Sequence, residues 1–128
     1  MKRKRSEGVT VNAQTYYQPE YSNPGNNEFM FAYRITIKNN STFPVNLISR
    51  HWYIFDSNGA LREVEGDGVI GVQPVLNPGT SYQYISGCNL RTEMGKMHGT
   101  YLFENLQKKK TFTALIPAFE MIAPLKLN

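Results

Sequence analysis

The sequence predicts an all-β sandwich with about seven to eight strands. Apolar residues recur at every second position, and Gly, Pro, Asn and Asp separate these segments at short intervals. No segment repeats its apolar residues with the 3.6-residue period of a helix. Eight Tyr and seven Phe add side chains that suit a pleated, half-buried surface. These features are typical of an immunoglobulin or fibronectin type III-like sandwich, and a small closed barrel is the alternative.

The first two strands are expected on either side of a long loop. Val9 to Gln18 alternates loosely and predicts an edge strand, which ends in the turn-forming segment from Pro19 to Asn27. Phe29 to Lys38 alternates strictly, with aromatic and aliphatic residues on one side and mixed residues on the other. One face of this strand is therefore expected on a core.

A hairpin is predicted next. Val45 to Phe55 and Ala60 to Glu65 flank Asn58-Gly59, which accepts the positive φ angles of a tight turn. Arg50 shares one side of its strand with Trp52, which predicts a β-bulge or a paired Arg50. Three further strands are expected, at Ser81–Ser86, Met97–Glu104 and Thr111–Ile116.

The predicted core takes one apolar side of each strand. Gly99 and Tyr101 also resemble a tyrosine corner, in which the phenol hydroxyl bonds to backbone. Pro117 is expected to end the last strand, and Lys108-Lys109-Lys110 to project from a solvated hairpin tip. The core residues are predicted to be Phe31, Tyr33, Ile35, Trp52, Tyr101, Phe112 and Ile116.

The chain is expected to hold one domain, residues 9–128, after a disordered basic arm over residues 1–8. Lys2 to Arg5 account for the net charge of +4, because the remaining ten basic and ten acidic residues cancel. A nucleic-acid reader normally shows a basic face on its fold, so no specific nucleic-acid partner is expected. A single Cys and the absence of a long apolar run predict a cytoplasmic protein without disulfides, secretion signal or membrane span.

Gly66-Asp67-Gly68-Val69-Ile70-Gly71 matches the G-x-G-x-x-G pattern of dinucleotide-binding loops. In those loops the phosphates lie at the N-terminus of a helix, which Pro74 excludes here. The neighbouring carboxylates of Glu63, Glu65 and Asp67 would also repel a phosphate. The glycines are therefore expected to shape a tight crossing between sheets, and a backbone anion nest is the alternative.

No spacing in the sequence is typical of a catalytic or a zinc site. The only His and Cys residues are scattered, and no local motif joins a nucleophile to a base. No cofactor is expected, with a divalent cation left open as a ligand. The candidate metal ligands are His51, His98, Cys88, Glu63, Glu65 and Asp67.

Several segments together form a denser pattern than any single motif. They are His51-Trp52-Tyr53-Ile54, Glu63 to Pro74, Pro78-Gly79, Tyr84, Ser86, Leu90, Met94 to Tyr101 and Ile116-Pro117-Ala118-Phe119. This pattern closely resembles the ApaG family over nearly all of the chain after the basic arm. Leu106 to Lys110 departs from it, because the family usually has a Gly in that turn.

The resemblance implies a fibronectin type III-like sandwich in a small cytoplasmic bacterial protein. It also implies a genetic association with cobalt resistance and magnesium efflux, without an established enzymatic activity. Related eukaryotic domains, in F-box proteins and in a DNA polymerase delta-interacting protein, look like protein-interaction modules. The basic arm lies outside the shared pattern, so the resemblance implies nothing for it.

Three classes of function remain open from the sequence. A non-enzymatic module that binds another protein is favoured, as a monomer or as a weak homodimer through a sheet edge. A divalent-metal or phosphate-ligand binding protein that uses the Gly66–Gly71 loop is the alternative. An enzyme of unrecognised type is the second alternative, and it would need a pocket that joins His98 or Cys88 to a base.

Overall fold

The structure is a computed structural model that describes residues 2–124, so the last four residues of the predicted domain lie outside it. Two antiparallel sheets face each other, which confirms the predicted β-sandwich. One sheet has the strand order β1-β2-β3-β7, and the other has the order β5-β4-β8-β9 with β6 beside β4. The strands are β1 Lys2–Ser6, β2 Val9–Tyr17, β3 Phe29–Asn39, β4 Val45–Asp56, β5 Leu61–Asp67, β6 Val75–Leu76, β7 Ser81–Leu90, β8 Met94–Asn105 and β9 Lys110–Ile122.

The segment predicted as a disordered basic arm is strand β1, so that prediction was wrong. Its residues pair with β2 from Lys2 opposite Ala13 to Ser6 opposite Val9. The connection is a two-residue turn, Glu7-Gly8, in which both residues have positive φ, the geometry that fits a tight hairpin. Because β1 has basic residues on both of its sides, its sequence shows no alternation of apolar and polar residues. Only the backbone pairing with β2 identifies it as a strand.

The β4–β5 hairpin forms as predicted, with Trp52 opposite Val64 and Phe55 opposite Leu61. The β-bulge and the paired Arg50, which the sequence left as alternatives, are both present. The pairing of β4 with β8 shifts between Leu47 and Ser49, which is a bulge just before Arg50. The Arg50 guanidinium donates 3.0 Å hydrogen bonds from Nη1 to the carbonyl oxygens of Asp67 and Gly68.

Strand β9 continues to Ile122, whereas the sequence predicted its end before Pro117. The register places Gly99 opposite Ile116 and Met97 opposite Phe119, so Pro117 and Ala118 together oppose the single residue His98. Such a bulge tolerates proline because one bulged residue needs no ladder hydrogen bond. The prediction failed because the sequence does not show the bulge.

The core lies between the two sheets. Six of the seven predicted core residues are buried, and Phe112 is half-buried against the ring of Phe103. Trp52, which is 2% exposed, packs on Tyr33 of the opposite sheet. The Tyr101 hydroxyl bonds to the Tyr84 hydroxyl, where the tyrosine-corner resemblance predicted a backbone partner. Among residues 2–124, no helix is long and apolar enough to cross a membrane.

Candidate functional site

The outward side of the five-stranded sheet brings together most of the residues that the sequence proposed as ligands. Cross-strand neighbours share one side of a sheet, and the register places Glu65 beside His51 and Glu63 beside Tyr53. In the described part of the chain, Lys96 is the one Lys or Arg on this side. We call this side the acidic face, after its carboxylates Glu63, Glu65, Asp67, Glu104 and Glu120.

His51 lies between two carboxylates on this face. Its Nε2 is 3.1 Å from Glu63 Oε2, and its Nδ1 is 3.1 Å from Glu65 Oε1. The Nε2 contact has hydrogen-bond geometry, whereas the Nδ1 contact is a close approach that becomes an ion pair only when the imidazole is protonated. One ligand atom from each of these residues lies within 4.8 Å of the others, a spacing that could hold a metal ion.

The other candidate ligands lie apart from this group. His98 stacks on Tyr53 at 5.0 Å between ring centroids, and Tyr53 stacks on His51 at 4.5 Å, so a tyrosine ring separates the two histidines. Asp67 opposes Ser49 at the end of β5. Cys88 is buried on β7, in the other sheet. Three of the six predicted ligands therefore come together.

An exposed apolar group occupies the other end of the acidic face. Leu61 opposes Phe55, and Met94 opposes Ile122, so four strands each contribute one side chain. These side chains are between 42% and 61% exposed. We call Phe55, Leu61, Met94 and Ile122 the apolar corner. Sequence reasoning missed this group, because its members are far apart in the chain and only strand register joins them.

The glycine segment forms a tight turn at the end of β5. Val69 and Val72 exchange backbone hydrogen bonds of 2.8 and 3.1 Å around Ile70 and Gly71, which both have positive φ. The Gly68 amide donates to the Ile48 carbonyl at 2.8 Å. The Gly68 and Val69 amides are thus used within the fold, which supports the shape role over an anion nest.

The glycines differ in why they are needed. A Cβ on Gly68 would lie 1.9 Å from the Val72 carbonyl oxygen, and one on Gly66 would lie 2.9 Å from the Arg50 guanidinium. Gly71 has open space around it and needs only its positive φ of 75°. The fingerprint spacing therefore reflects three separate packing and turn requirements.

The arrangement around Cys88 does not activate its thiol. Arg62 Nη2 lies 3.7 Å from Cys88 Sγ and donates to the Asn89 carbonyl at 2.5 Å. Burial raises the pKa of the Cys88 thiol, although the Arg62 charge opposes this rise. His98 lies on the outward side of the opposite sheet, so the two residues do not form a nucleophile and base pair.

Comparison with known proteins decides the family. An ApaG domain model matches residues 19–105. The chain belongs to the ApaG family. It is 44% identical over 124 residues to Protein ApaG of Sinorhizobium fredii, covering 97% of this chain and 95% of that one, and equally so to Protein ApaG of Rhizobium meliloti. The crystal structure of the ApaA protein of Bordetella pertussis matches at a TM-score of 0.88 and 39% identity, over 92% of this chain and 95% of that one.

Proposed function

We propose that this ApaG family member is a non-enzymatic module that binds another protein through the apolar corner of its acidic face. The exposure of Phe55, Leu61, Met94 and Ile122 on four adjoining strands carries the proposal. Exposed apolar side chains that cluster, rather than stand singly, are typical of protein contact sites. Burial of such a cluster drives association, with Phe and Met among the residue types enriched at interfaces.

The charge around this corner defines the partner further. Glu120 and Lys96 oppose each other next to the corner, while Glu63 and Glu65 leave the rest of the face negative. A partner with one or two apolar side chains surrounded by Lys or Arg complements this surface. Charge complementarity of this kind raises the association rate and disfavours acidic proteins.

The proposal is tested by placing a charge in the corner. Phe55→Glu and Met94→Glu should each prevent the immobilised domain from retaining a defined protein from bacterial lysate. Val75→Glu is the matched control, because Val75 is 54% exposed on β6, outside the corner. Circular dichroism must show that all three variants keep the wild-type fold. Equal retention by wild type and both corner variants contradicts the proposal.

A divalent cation at His51, Glu63 and Glu65 is a second candidate function. The 4.8 Å grouping of one imidazole and two carboxylates favours it, since such a donor set suits transition metals more than magnesium. The cation would bind one of the two ring nitrogens of His51 and would displace any proton from that nitrogen. The family-implied link to cobalt resistance and magnesium efflux is proposed to act through this group.

Thermal unfolding with and without metal tests this second function. Cobalt at about 100 times its dissociation constant should add about 2.7 kcal/mol of stability, and magnesium should add less. His51→Ala should abolish the cobalt shift. His98→Ala is the control, because His98 lies on the same face but outside the ligand group. A cobalt shift that survives in His51→Ala, or an absent shift in wild type, contradicts this function.

Cellular location and assembly state are further parts of the proposal. The protein is proposed to act in the cytoplasm, as a monomer or as a weak homodimer. Strands β5 and β7 each pair on one side only within residues 2–124, which leaves sheet edges where a second copy could add. Sedimentation velocity at rising protein concentration distinguishes the two states.

A further inference from the structure

The outward side of the four-stranded sheet is basic. Strand register places Arg3 beside Asn12 and Arg5 beside Thr10 on one side of the sheet. The same side of β3 carries Arg34 and Lys38, which alternate with its buried residues. The four charges lie within about two strand spacings and four residues, a patch of roughly 10 by 14 Å. We call this side of the sheet, with Arg3, Arg5, Arg34 and Lys38, the basic face.

Among the described residues, the basic face holds no opposing charge. Within residues 2–124, no outward position on β1, β2, β3 or β7 is Asp or Glu, while the acidic face has five carboxylates and one lysine. The separations between the four charges are comparable to the screening length of about 10 Å at 0.1 M salt. Their fields therefore add, and the face attracts anions although the charges outside β1 sum to zero.

Besides its charge, this face offers two planar groups on which bases can stack. The Arg34 guanidinium lies 5.4 Å from the centroid of the Tyr16 ring, which is 41% exposed. Bases stack on aromatic rings and on arginine planes. Gln14 lies beside them, where its Oε1 accepts a 3.1 Å hydrogen bond from the Tyr16 hydroxyl and so helps to hold the Tyr16 ring in place.

We propose that the basic face binds single-stranded nucleic acid without sequence specificity. The sugar-phosphate backbone of the nucleic acid would lie along the arginines of β1 and the Lys38 charge. One of its bases would stack at Tyr16 and Arg34. A duplex is less suitable, because its bases are paired and stacked on one another and offer no free face to Tyr16 and Arg34. An acidic protein offers charge but no base to stack, and a membrane would require more exposed apolar residues than Tyr16 and Ile85.

Fluorescence anisotropy with labelled oligothymidine and oligouridine of about 15 nucleotides tests this proposal, a length near the upper site size of single-strand binding folds. Wild type should bind both oligonucleotides and weaken as salt rises from about 50 to 200 mM. Arg3→Ala with Arg5→Ala should lower the slope of log K against log salt by about 0.7 for each phosphate that is no longer neutralised. Arg34→Ala should weaken binding about tenfold, because the base can no longer stack on the guanidinium.

The control removes two charges elsewhere. Lys108→Ala with Lys110→Ala changes the net charge equally at the β8–β9 turn and the start of β9, outside the four residues of the basic face, and should leave most of the affinity. A labelled polyglutamate peptide and vesicles containing phosphatidylserine represent the other two classes of anionic partner. The proposal is overturned if wild type fails to bind either oligonucleotide at about 50 mM salt. Equal losses of affinity in the two double variants, or binding of polyglutamate or vesicles as tight as that of oligothymidine, overturn it too.

Discussion

The two outward faces of this sandwich are each formed by alternate residues of one sheet, but they carry opposite charge. The acidic face combines carboxylates, a stack of His51, Tyr53 and His98 rings, and an apolar corner. The basic face combines arginines with amides and hydroxyls. Each strand sends alternate residues to the shared core and to its own face, so one core supports two surfaces of different chemistry. A near-neutral charge sum over a domain therefore does not show that its surface is neutral.

Trp52→Ala should have the largest effect, because it removes the packing that both sheets share. Trp52 packs on Tyr33 from one sheet and on Tyr101 and Phe119 from the other. Its truncation should lower the free energy of unfolding by about 3–5 kcal/mol and weaken binding at both faces. Urea denaturation followed by far-ultraviolet circular dichroism measures this decrease. A decrease below about 1 kcal/mol would contradict a shared core at this position.

Gly68→Ala and Gly71→Ala separate steric from conformational requirements beside the acidic face. Gly68→Ala should cost more than about 2 kcal/mol, since a Cβ there meets the Val72 carbonyl oxygen. Gly71→Ala should cost about 1 kcal/mol, the strain of a left-handed residue in open space. Thermal unfolding of both variants shows which one loses more stability. A larger loss in Gly71→Ala than in Gly68→Ala would contradict the close contact at Gly68.

The stability of the whole sandwich should fall in alkaline solution. Burial raises the pKa of Tyr84, and also that of its partner Tyr101, above the usual value of about 10. The unfolded chain then loses these protons first, so their contribution is complete below about pH 10 and decreases as pH rises above it. The double variant Tyr84→Phe with Tyr101→Phe should lose less free energy of unfolding than wild type as pH rises. Tyr21→Phe, at a residue 72% exposed, should leave the decrease unchanged, and the opposite pattern would contradict a buried phenol pair.

The surface charges themselves should affect stability least. Glu63→Gln with Glu65→Gln, and Arg3→Ala with Arg5→Ala, should each change the free energy of unfolding by less than about 1 kcal/mol. The first pair should abolish a cobalt shift, and the second should weaken oligonucleotide binding. Chemical denaturation and the two binding assays separate these effects. A destabilisation of several kcal/mol in either pair would show that a face stabilises the fold rather than binding a ligand.

The sequence predicted those features that depend on local pattern. Period-two alternation located β2, β3 and β4, and Asn58-Gly59 located a hairpin turn, because each signal lies within a few residues. The course of β9 through Pro117 depends on a bulge opposite His98, which no local signal shows. The ApaG resemblance was confirmed, since it rests on segments spread over most of the chain.

The candidate sites were less predictable, because they depend on pairing between distant strands. His51 meets Glu63 and Glu65 only through the β4–β5 register, and the sequence named all three without joining them. The basic face requires Arg3 and Arg5 to lie on a strand, whereas a run of four basic residues indicated a tail. No single segment of the sequence indicates the apolar corner, or the placement of acidic residues on one face and basic residues on the other.

An NMR titration of the ¹⁵N-labelled domain with oligothymidine tests the difference between the faces most directly. Saturable shifts are expected at amides of the basic face, such as Thr10, Asn12 and Arg34, while the amides of Glu63 and Glu65 stay unchanged. These shifts should diminish as salt is added, because the contacts are with phosphates. Shifts that appear equally on both faces, or only around Lys108 to Lys110, would contradict the assignment of distinct partners to the two faces.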